Sequence, residues 1–356
     1  MTTVALFVML VIAAAIVVLT GPIANQVGTP SAAHNKTYGA LATVIVRERP
    51  PTHAVRHGRR SRRAVSHYRF RRQTSGKGRA PQRLETRMIM NDTTGKPLAV
   101  VTGASSGIGG ELAARFAEHG YDLVVAAEDE RIESTAASLA GQAVQALPVQ
   151  ADLAAFDGVE ELWQRIQGTG RVPEAVAINA GVGVAGDFTR DNDLADELRL
   201  IGLNITGAVH LARRVLPEMV AAGRGGVLFT SSIAATAPGP YHATYAASKA
   251  FLLSFAEALR YELRDTGVTV TALLPGPTDT EFFDRAGMQG TKLREETAKD
   301  DPAEVAREGF EALMAGKDHI VAGSMKNKAQ VAAGRIMPET AKAATQARQT
   351  APGSGS

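Results

Sequence analysis

The sequence from Leu98 to Gly109 constrains the fold more than any other part of the chain. Residues 98–101 form a short apolar run with β-branched side chains, typical of a strand buried on both faces. Three glycines follow at positions 103, 107 and 109, and helical periodicity begins soon after them. Glycine is needed where a strand turns sharply into a helix and a phosphate approaches bare backbone. The helix start then offers free N–H groups and a positive dipole end. The stretch therefore favours a dinucleotide-binding unit over an ordinary glycine-rich turn.

From Pro97 onward, strand patterns alternate with helical patterns, which predicts an α/β fold with a doubly wound parallel sheet of about seven strands. The predicted strands are residues 98–101, 121–127, 143–149, 175–178, 226–230, 268–274 and 319–322. Long helices are predicted over 194–219 and 244–266, and a mobile insert over 278–299. We expect one domain over 97–325, followed over 326–356 by a C-terminal helix and a tail that is disordered from Pro338 onward.

The front of the chain has a different composition. Residues 1–90 hold 15 lysines and arginines against two acidic residues, Glu48 and Glu85, whereas the remainder is net acidic. Residues 1–24 are apolar, and 4–24 would cover roughly 30 Å as a helix, which predicts a membrane anchor. A cleaved signal peptide is disfavoured because no basic residue precedes the run. An equal alternative is that translation starts at Met88 or Met90 and the segment is an artefact of an upstream start.

Residues 25–96 are predicted to be a disordered basic linker, because they lack an apolar period. If the anchor inserts, this flank would place the catalytic domain on the cytoplasmic side. A solvated linker is favoured over binding to acidic lipid or nucleic acid. The absence of cysteine excludes disulfides and thiolate metal sites. No metal site is expected, since His53, His57 and His67 have no acidic neighbours.

Tyr245 and Lys249 lie four residues apart in a predicted helix, so their side chains share one face. A nearby ammonium favours the phenolate and would bring the tyrosine pKa, about 10 when free, toward the range useful for proton transfer. Taken alone, this spacing is commonest on a solvated face. Ser232 favours catalysis, because its hydroxyl would reach the same substrate oxygen. Its alternative role is a strand-end serine bonding to nearby backbone.

Asn204 lies inside the helix predicted over 194–219, where asparagine is a poor helix former. We expect it to bulge the helix and to hold a water linked to Lys249, which would give protons a route to solvent. The alternative is a buried asparagine at a local kink.

The sequence resembles the short-chain dehydrogenase/reductase family in two features. The first is the GxxxGxG loop that follows Thr102. The second is the catalytic tetrad of that family, which Asn204, Ser232, Tyr245 and Lys249 match in their order along the chain. The resemblance covers roughly residues 97–323 and implies a Rossmann fold with an NAD(P) cofactor. It implies that Tyr245 is the general acid for reduction and the base for oxidation. It further implies that Lys249 binds the ribose hydroxyls, Ser232 polarises the substrate oxygen and Asn204 anchors the relay water.

Cofactor contacts are expected at the glycine loop and at the carboxyl ends of the strands. Asp152 suits the adenine amino group, although a helix N-cap is a competing role. The resemblance assigns Asn179–Gly181 to the cofactor pocket and Thr280 to the nicotinamide carboxamide. The expected cofactor-binding residues are Gly103, Ser105, Ser106, Gly107, Ile108, Gly109, Glu128, Asp152, Leu153, Asn179, Ala180, Gly181, Tyr245, Lys249, Pro275, Gly276, Thr278 and Thr280.

NAD is predicted over NADP from the residues that end the second strand. Glu128 and Asp129 would repel a 2′-phosphate and can accept hydrogen bonds from free ribose hydroxyls. Against this, Ala127 supplies no acceptor and Arg131 could turn back toward a phosphate.

We therefore expect hydride transfer between a nicotinamide and a carbonyl or secondary alcohol. A hydrophobic substrate is predicted, because the residues expected to form the walls of the substrate pocket, 182–185, 234–241 and 282–292, carry few charges. His242 is expected on a loop surface. The alternative is a non-catalytic dinucleotide-binding or membrane-tethered interaction protein on the same fold. A homodimer or homotetramer is expected, because the family commonly pairs the Tyr–Lys helix across a dimer axis. Phe251, Leu252 and Phe255 would offer apolar surface for that contact.

Overall fold

A computed structural model of the chain describes residues 95–295 and 298–355. The expected anchor at 4–24 and nearly all of the basic linker lie outside these residues, so both stay predictions. Within the described residues, no helix combines the length and the apolar character needed to cross a membrane.

Seven parallel strands form one sheet in the described part of the chain, which confirms the predicted α/β class. The strands are β1 (Leu98–Thr102), β2 (Asp122–Ala127), β3 (Ala146–Gln150), β4 (Ala175–Ile178), β5 (Gly225–Thr230), β6 (Val268–Pro275) and β7 (His319–Ala322). Their order across the sheet is β3-β2-β1-β4-β5-β6-β7. The strand order reverses between β1 and β4, which opens a crevice at their carboxyl ends.

Helices cover both faces of the sheet. They are α1 (Gly107–Glu118), α2 (Arg131–Ala140), α3 (Phe156–Gln167), α4 (Leu194–Ile201), α5 (Ala208–Ala222), α6 (Ala243–Glu262), α7 (Phe282–Arg285), α8 (Lys292–Glu295), α9 (Pro302–Met314), α10 (Met325–Gly334) and α11 (Glu339–Thr350). Alternate residues of β1 point into the hydrophobic cores on opposite faces of the sheet. Val100 packs in the core with α3, α5 and α6, whereas Val101 packs in the core with α1, α2 and α9. Both faces are covered, which explains why the strands are continuous apolar runs.

The predicted elements differ from the structure in a few places. The helix predicted over 194–219 is interrupted by a π-helical turn, Gly202–Gly207, which contains Asn204 as the expected bulge requires. β3 begins at Ala146 because Ala143 adopts a φ of 62° and belongs to the preceding turn. The insert predicted over 278–299 contains the short helices α7 and α8.

The prediction of a disordered tail after Pro338 was wrong. Helix α11 forms there, and its last residue, Thr350, is 1% exposed. The Thr350 hydroxyl lies 2.9 Å from the carbonyl oxygen of Pro240, which it can donate to. The tail is rich in alanine, a strong helix former, but it lacks an apolar period that would reveal docking.

Candidate active site

A glycine cradle forms where β1 passes into α1. Gly103 and Gly107 have φ angles of 65° and 55°, which residues with side chains rarely adopt. A Cβ atom on Gly109 would collide with the carbonyl oxygen of Gly103, so the helix starts directly against the strand end. Ser106 is the N-cap residue, yet its side chain makes no capping hydrogen bond in the described structure. The amides of the first turn are therefore available to a pyrophosphate.

Thr102 joins the ends of β1 and β4. Its Oγ1 accepts hydrogen bonds from the N–H groups of Asn179 at 2.9 Å and Ala180 at 3.0 Å. A Cβ on Gly103 would lie 2.9 Å from the Cα of Ala180, so only glycine allows this approach. These contacts place Asn179 and Ala180, with Gly181, beside the glycine cradle.

Charged side chains surround the end of β2, where the adenosine part of the dinucleotide was expected to bind. Arg199 of α4 donates hydrogen bonds to Glu128 at 2.6 Å and to Asp152 at 3.0 Å. Partial burial raises the pKa of Asp152, but hydrogen bonds from Arg199 and from the Ala154 N–H outweigh it and hold that pKa below its usual value. The Ala154 contact, at 2.9 Å, is the backbone role that competes with adenine recognition.

Asp129 and Arg131 form a second charged group at the same end. Arg131 donates to Asp129 at 2.9 Å and to Glu281 of the insert at 3.0 Å. The hydrogen bond from Arg131 lowers the pKa of Asp129, partial burial raises it, and the Ser105 hydroxyl at 2.8 Å lowers it further. Arg131 is thus held between two carboxylates, and turning toward a phosphate would break both pairs.

Lys249 shares one face of α6 with Tyr245, as the spacing predicts. Its Nζ lies 5.7 Å from the centroid of the Tyr245 ring and donates to the Thr230 carbonyl oxygen at 2.9 Å. The side chain is buried, and this burial lowers the pKa of Lys249 to about 8.

The pKa of Tyr245 departs from the sequence-based expectation. Burial raises the pKa of its phenol to about 12, while a hydrogen bond with Ser232 acts in the opposite direction. The expected lowering by Lys249 was wrong for this structure. Desolvation, the largest cause of the shift, favours the neutral phenol over the phenolate.

Ser232 follows β5 and lies near Tyr245. Its Oγ accepts the Ala234 N–H at 3.1 Å and lies 3.4 Å from the Pro275 carbonyl oxygen, and its side chain is close enough to the Tyr245 phenol to lower the pKa of that phenol. The backbone role considered from the sequence is therefore present, and the role of Ser232 at the substrate oxygen stays a prediction.

Asn204, the remaining residue of the expected tetrad, is fully buried. Its Oδ1 accepts the Val182 N–H, and its Nδ2 donates to the Val182 carbonyl oxygen, both at 2.9 Å. Nδ2 also lies 3.0 Å from the Ser248 hydroxyl. A Cβ on Gly181 would lie 3.1 Å from Asn204 Oδ1 and 3.2 Å from Lys249 Nζ, so glycine keeps the region between these atoms open.

The loop after β6 lies over the glycine cradle. Thr278 Oγ1 donates to the Gly276 carbonyl oxygen at 3.0 Å. Asn327 of α10 packs so closely on Gly276 that a Cβ there would collide with the Asn327 amide. A Cβ on Gly107 would lie 3.0 Å from Thr280 Cγ2, which places Thr280 directly against the cradle.

A cavity of about 510 Å³ joins these groups. Every expected cofactor-binding residue lines it, as do Ser232, Tyr245 and Lys249; Asn204 lies behind its wall. The cavity is also lined by Val182, Gly183, His242, Phe282, Phe283, Met288, Leu293, Gln346 and Gln349. The ring centroids of His242 and Phe282 lie 6.2 and 5.1 Å from that of Tyr245, which marks the substrate end.

Several of these residues were not predicted from the sequence, or were predicted to lie elsewhere. His242, expected on a loop surface, is 5% exposed, and its ring centroid lies 6.2 Å from that of Tyr245. Burial lowers the pKa of His242 to about 4, so its ring is neutral near pH 7. Arg199 carried no sequence signal, because its partners lie 71 and 47 residues away. The only sign of Gln346 and Gln349 was the alanine-rich composition that supports α11.

The sequence and the fold are similar to those of known oxidoreductases. The sequence profile of the short chain dehydrogenase family matches residues 97–289. The probable oxidoreductase EphD of Mycobacterium tuberculosis is 36% identical over 204 residues, which are 57% of this chain and 34% of that protein. The chain thus spans about a third of the length of this curated relative.

Two solved structures share the fold and contain a nicotinamide dinucleotide. A short-chain dehydrogenase from Sphingobium yanoikuyae in complex with NADPH is 32% identical, with a TM-score of 0.59, over 63% of this chain and 87% of that one. A short-chain dehydrogenase/reductase from Burkholderia phymatum in complex with NAD is 25% identical, also with a TM-score of 0.59, over 68% of this chain and 92% of that one.

Proposed function

Because the chain belongs to the short-chain dehydrogenase/reductase family of NAD(P)-dependent oxidoreductases, we propose that its cavity interconverts a ketone and a secondary alcohol through the Tyr245–Lys249–Ser232–Asn204 tetrad. The observation that carries this proposal is the convergence of Tyr245, Ser232 and Lys249 on the cavity that contains the glycine cradle. The family supports the general reaction, and the tetrad roles are our proposal.

The glycine cradle fits a dinucleotide by shape and by chemistry. Positive φ angles at Gly103 and Gly107 and the absence of room for a side chain at Gly109 keep bare backbone at the start of α1. Its amides would hold the pyrophosphate, and Lys249 would bind the ribose hydroxyls. When bound, the nicotinamide supplies or accepts the hydride.

Tyr245 acts as the proton donor in reduction. A phenol whose pKa is raised to about 12 stays protonated near neutral pH. It can therefore donate to the alkoxide oxygen that develops on a reduced carbonyl. Ser232, whose side chain influences the pKa of the phenol, would donate to the same oxygen and hold it in place.

Asn204 and Lys249 connect the site to solvent. Gly181 carries no side chain beside Asn204 Oδ1 and Lys249 Nζ, and the proposal places a relay water next to these two atoms. The water would return a proton toward Tyr245 after each turnover.

We propose NAD(H) as the preferred dinucleotide. Glu128 and Asp129 place two carboxylates at the end of β2, and the nearest guanidinium groups already neutralise carboxylates. A 2′-phosphate would have to displace such a pair, whereas ribose hydroxyls can add hydrogen bonds to the carboxylates. Fluorescence titration of both reduced dinucleotides at matched salt tests this. Tighter binding of NADH is expected, and tighter binding of NADPH would contradict the assignment.

The substrate is proposed to be hydrophobic. Phe282 packs on the Tyr245 ring, with centroids 5.1 Å apart, and continues into an apolar cluster that contains Phe283 and Met288. Burial of an apolar substrate body against these side chains would supply binding free energy. Initial rates with a panel of ketones, alcohols and polyols, measured with both dinucleotides, test the proposal. Apolar ketones should be turned over fastest; polyols reacting fastest would contradict the substrate class, and no turnover at all would contradict the function.

A homo-oligomer is proposed through α6. Phe251 is 38% exposed on this helix and stacks on Phe255 at a centroid distance of 5.6 Å. Leu252 was wrongly expected at the surface, because it is buried in the core beneath α6. Light scattering at micromolar concentration should report at least a dimer, and a monomer would contradict this arrangement.

A further inference from the structure

The substrate end of the cavity has side-chain amides in an otherwise apolar wall. Gln346 and Gln349 of α11 line the same cavity as Phe282, Met288 and Leu293. Both glutamines are half-buried, and their spacing of three residues puts them on one face of the helix. This face also carries Thr350, the buried residue that docks the helix.

The end of α11 is attached to both walls of the substrate region. Thr350 Oγ1 lies 2.9 Å from the carbonyl oxygen of Pro240, and Pro240 is two residues before His242, which lines the cavity. On the opposite side, Ser354 Oγ accepts the N–H of Lys292 in the insert at 3.0 Å. The glutamines are thus held by contacts on two sides of the cavity.

The side-chain amides of Gln346 and Gln349 have no hydrogen-bond partner within residues 95–295 and 298–355. An apolar ligand that covers an amide removes its water and returns no hydrogen bond, which is unfavourable. A ligand with a hydroxyl or carbonyl at the same point restores the lost hydrogen bond. The wall therefore discriminates between otherwise similar ligands.

Charge has little part in recognition at this end. His242 is neutral near pH 7 because burial lowers its pKa to about 4. Arg285 lies at the cofactor end, where it pairs with Glu281 and donates to Ser106 Oγ at 3.1 Å. Lys249 donates to Thr230 and is assigned to the ribose. Lys326 of α10 also lines the cavity, and its neighbour in sequence, Asn327, packs on Gly276 at the cofactor end. Beside the Tyr245 phenol, the uncharged groups that can bind the remote part of a substrate are the two amides and the apolar side chains.

We propose that Gln346 and Gln349 are specificity-determining residues that select a ketone or secondary alcohol with an uncharged hydrogen-bonding group at the far end of an apolar body. The group is a hydroxyl or carbonyl remote from the reacting carbon. This inference rests on the oxidoreductase function proposed above and narrows its substrate class.

The test compares phenylacetone, benzylacetone and the next longer homologue with their para-hydroxy derivatives. For at least one chain length, kcat/KM should be about tenfold higher for the hydroxylated ketone, the effect of one or two net hydrogen bonds. Gln346→Leu and Gln349→Leu should each reduce that preference to within about threefold. Gln164→Leu, at an exposed position of α3 outside the cavity, is the matched control and should leave it unchanged.

Each outcome bears on one claim. If the ketones react but the parent compounds are reduced as fast as the hydroxylated ones at every length, the specificity inference is wrong. A preference that survives in both leucine variants would assign it to other residues. If no ketone reacts with either dinucleotide, the proposed function itself fails. Gln346→Ala and Gln349→Ala, with NADH binding measured on each variant, separate lost recognition from lost folding.

Discussion

The dinucleotide half and the substrate half of the cleft are built by different means. The dinucleotide half consists of backbone packed so tightly that side chains cannot fit at Gly103 or Gly109. The substrate half consists of side chains from the insert, residues 278–299, and from α11, which begins only at Glu339. The first half recognises a constant group with local backbone geometry, and the second recognises a variable one with replaceable side chains. Changes to the glycine cradle of the first half should therefore alter binding of any dinucleotide, whereas changes in the second half should alter the choice of substrate.

The largest effect is expected where the two halves meet. Tyr245→Phe removes the proposed proton donor while keeping the ring against Phe282. Turnover should fall on the order of 10²-fold or more, because a positioned acid is lost. Stopped-flow or steady-state rates measure kcat, and NADH titration should show nearly unchanged affinity. Retention of most of the activity would remove Tyr245 from the mechanism.

The backbone character of the dinucleotide half is tested by Gly109→Ala. The added Cβ would collide with the Gly103 carbonyl oxygen, so the cradle must distort. We expect affinity for NADH and for NADPH to fall at least about tenfold, consistent with the loss of several amide contacts. Gly110→Ala is the matched control, since its Cβ would lie 3.4 Å from the nearest atom, the Ala104 carbonyl oxygen. If the two variants bind NADH and NADPH with the same affinity, close packing of the glycine cradle is not what determines dinucleotide binding.

The choice between dinucleotides is tested by Glu128→Arg. A guanidinium at this position should attract a 2′-phosphate and raise the NADPH-to-NADH ratio of kcat/KM about tenfold. Part of the gain is offset because Arg199, now paired with Glu128 at 2.6 Å, would face a like charge. Glu128→Gln separates loss of the carboxylate from gain of the cation. An unchanged ratio in both variants would place dinucleotide choice elsewhere.

A smaller effect is expected from pH. The pKa of Lys249 is lowered to about 8 by burial, so its ammonium loses its charge as pH rises through that value. NADH affinity should fall a few-fold between about pH 7 and about pH 9, because a charged donor to the ribose becomes neutral. Lys249→Met should bind more weakly at the lower pH and lose this dependence. Affinity that is flat in the unmodified protein would contradict the ribose role.

The two halves also differ in how well the sequence predicts them. The strand order and the glycine cradle follow from local patterns, since buried parallel strands and a GxxxGxG turn leave few alternatives. The positions of Tyr245, Lys249 and Ser232 follow from helix and strand periodicity. Helix α11 could not be predicted, because its docking depends on Thr350 meeting Pro240, 110 residues away. The pKa of Tyr245 was also beyond prediction, because burial of the phenol depends on side chains that fold against it, such as Phe282, rather than on its neighbours in sequence.

The central claim is that a dinucleotide in the first half passes a hydride directly to a ketone in the second. It is tested most directly with NADH in which both hydrogens on the transferring carbon of the ring are replaced by deuterium, with benzylacetone as substrate and ordinary water as solvent. Mass spectrometry and NMR of the product alcohol locate the label. The account predicts one deuterium on the carbinol carbon, with a rate that collapses in Tyr245→Phe. An alcohol without deuterium, or no alcohol with either dinucleotide, would contradict it.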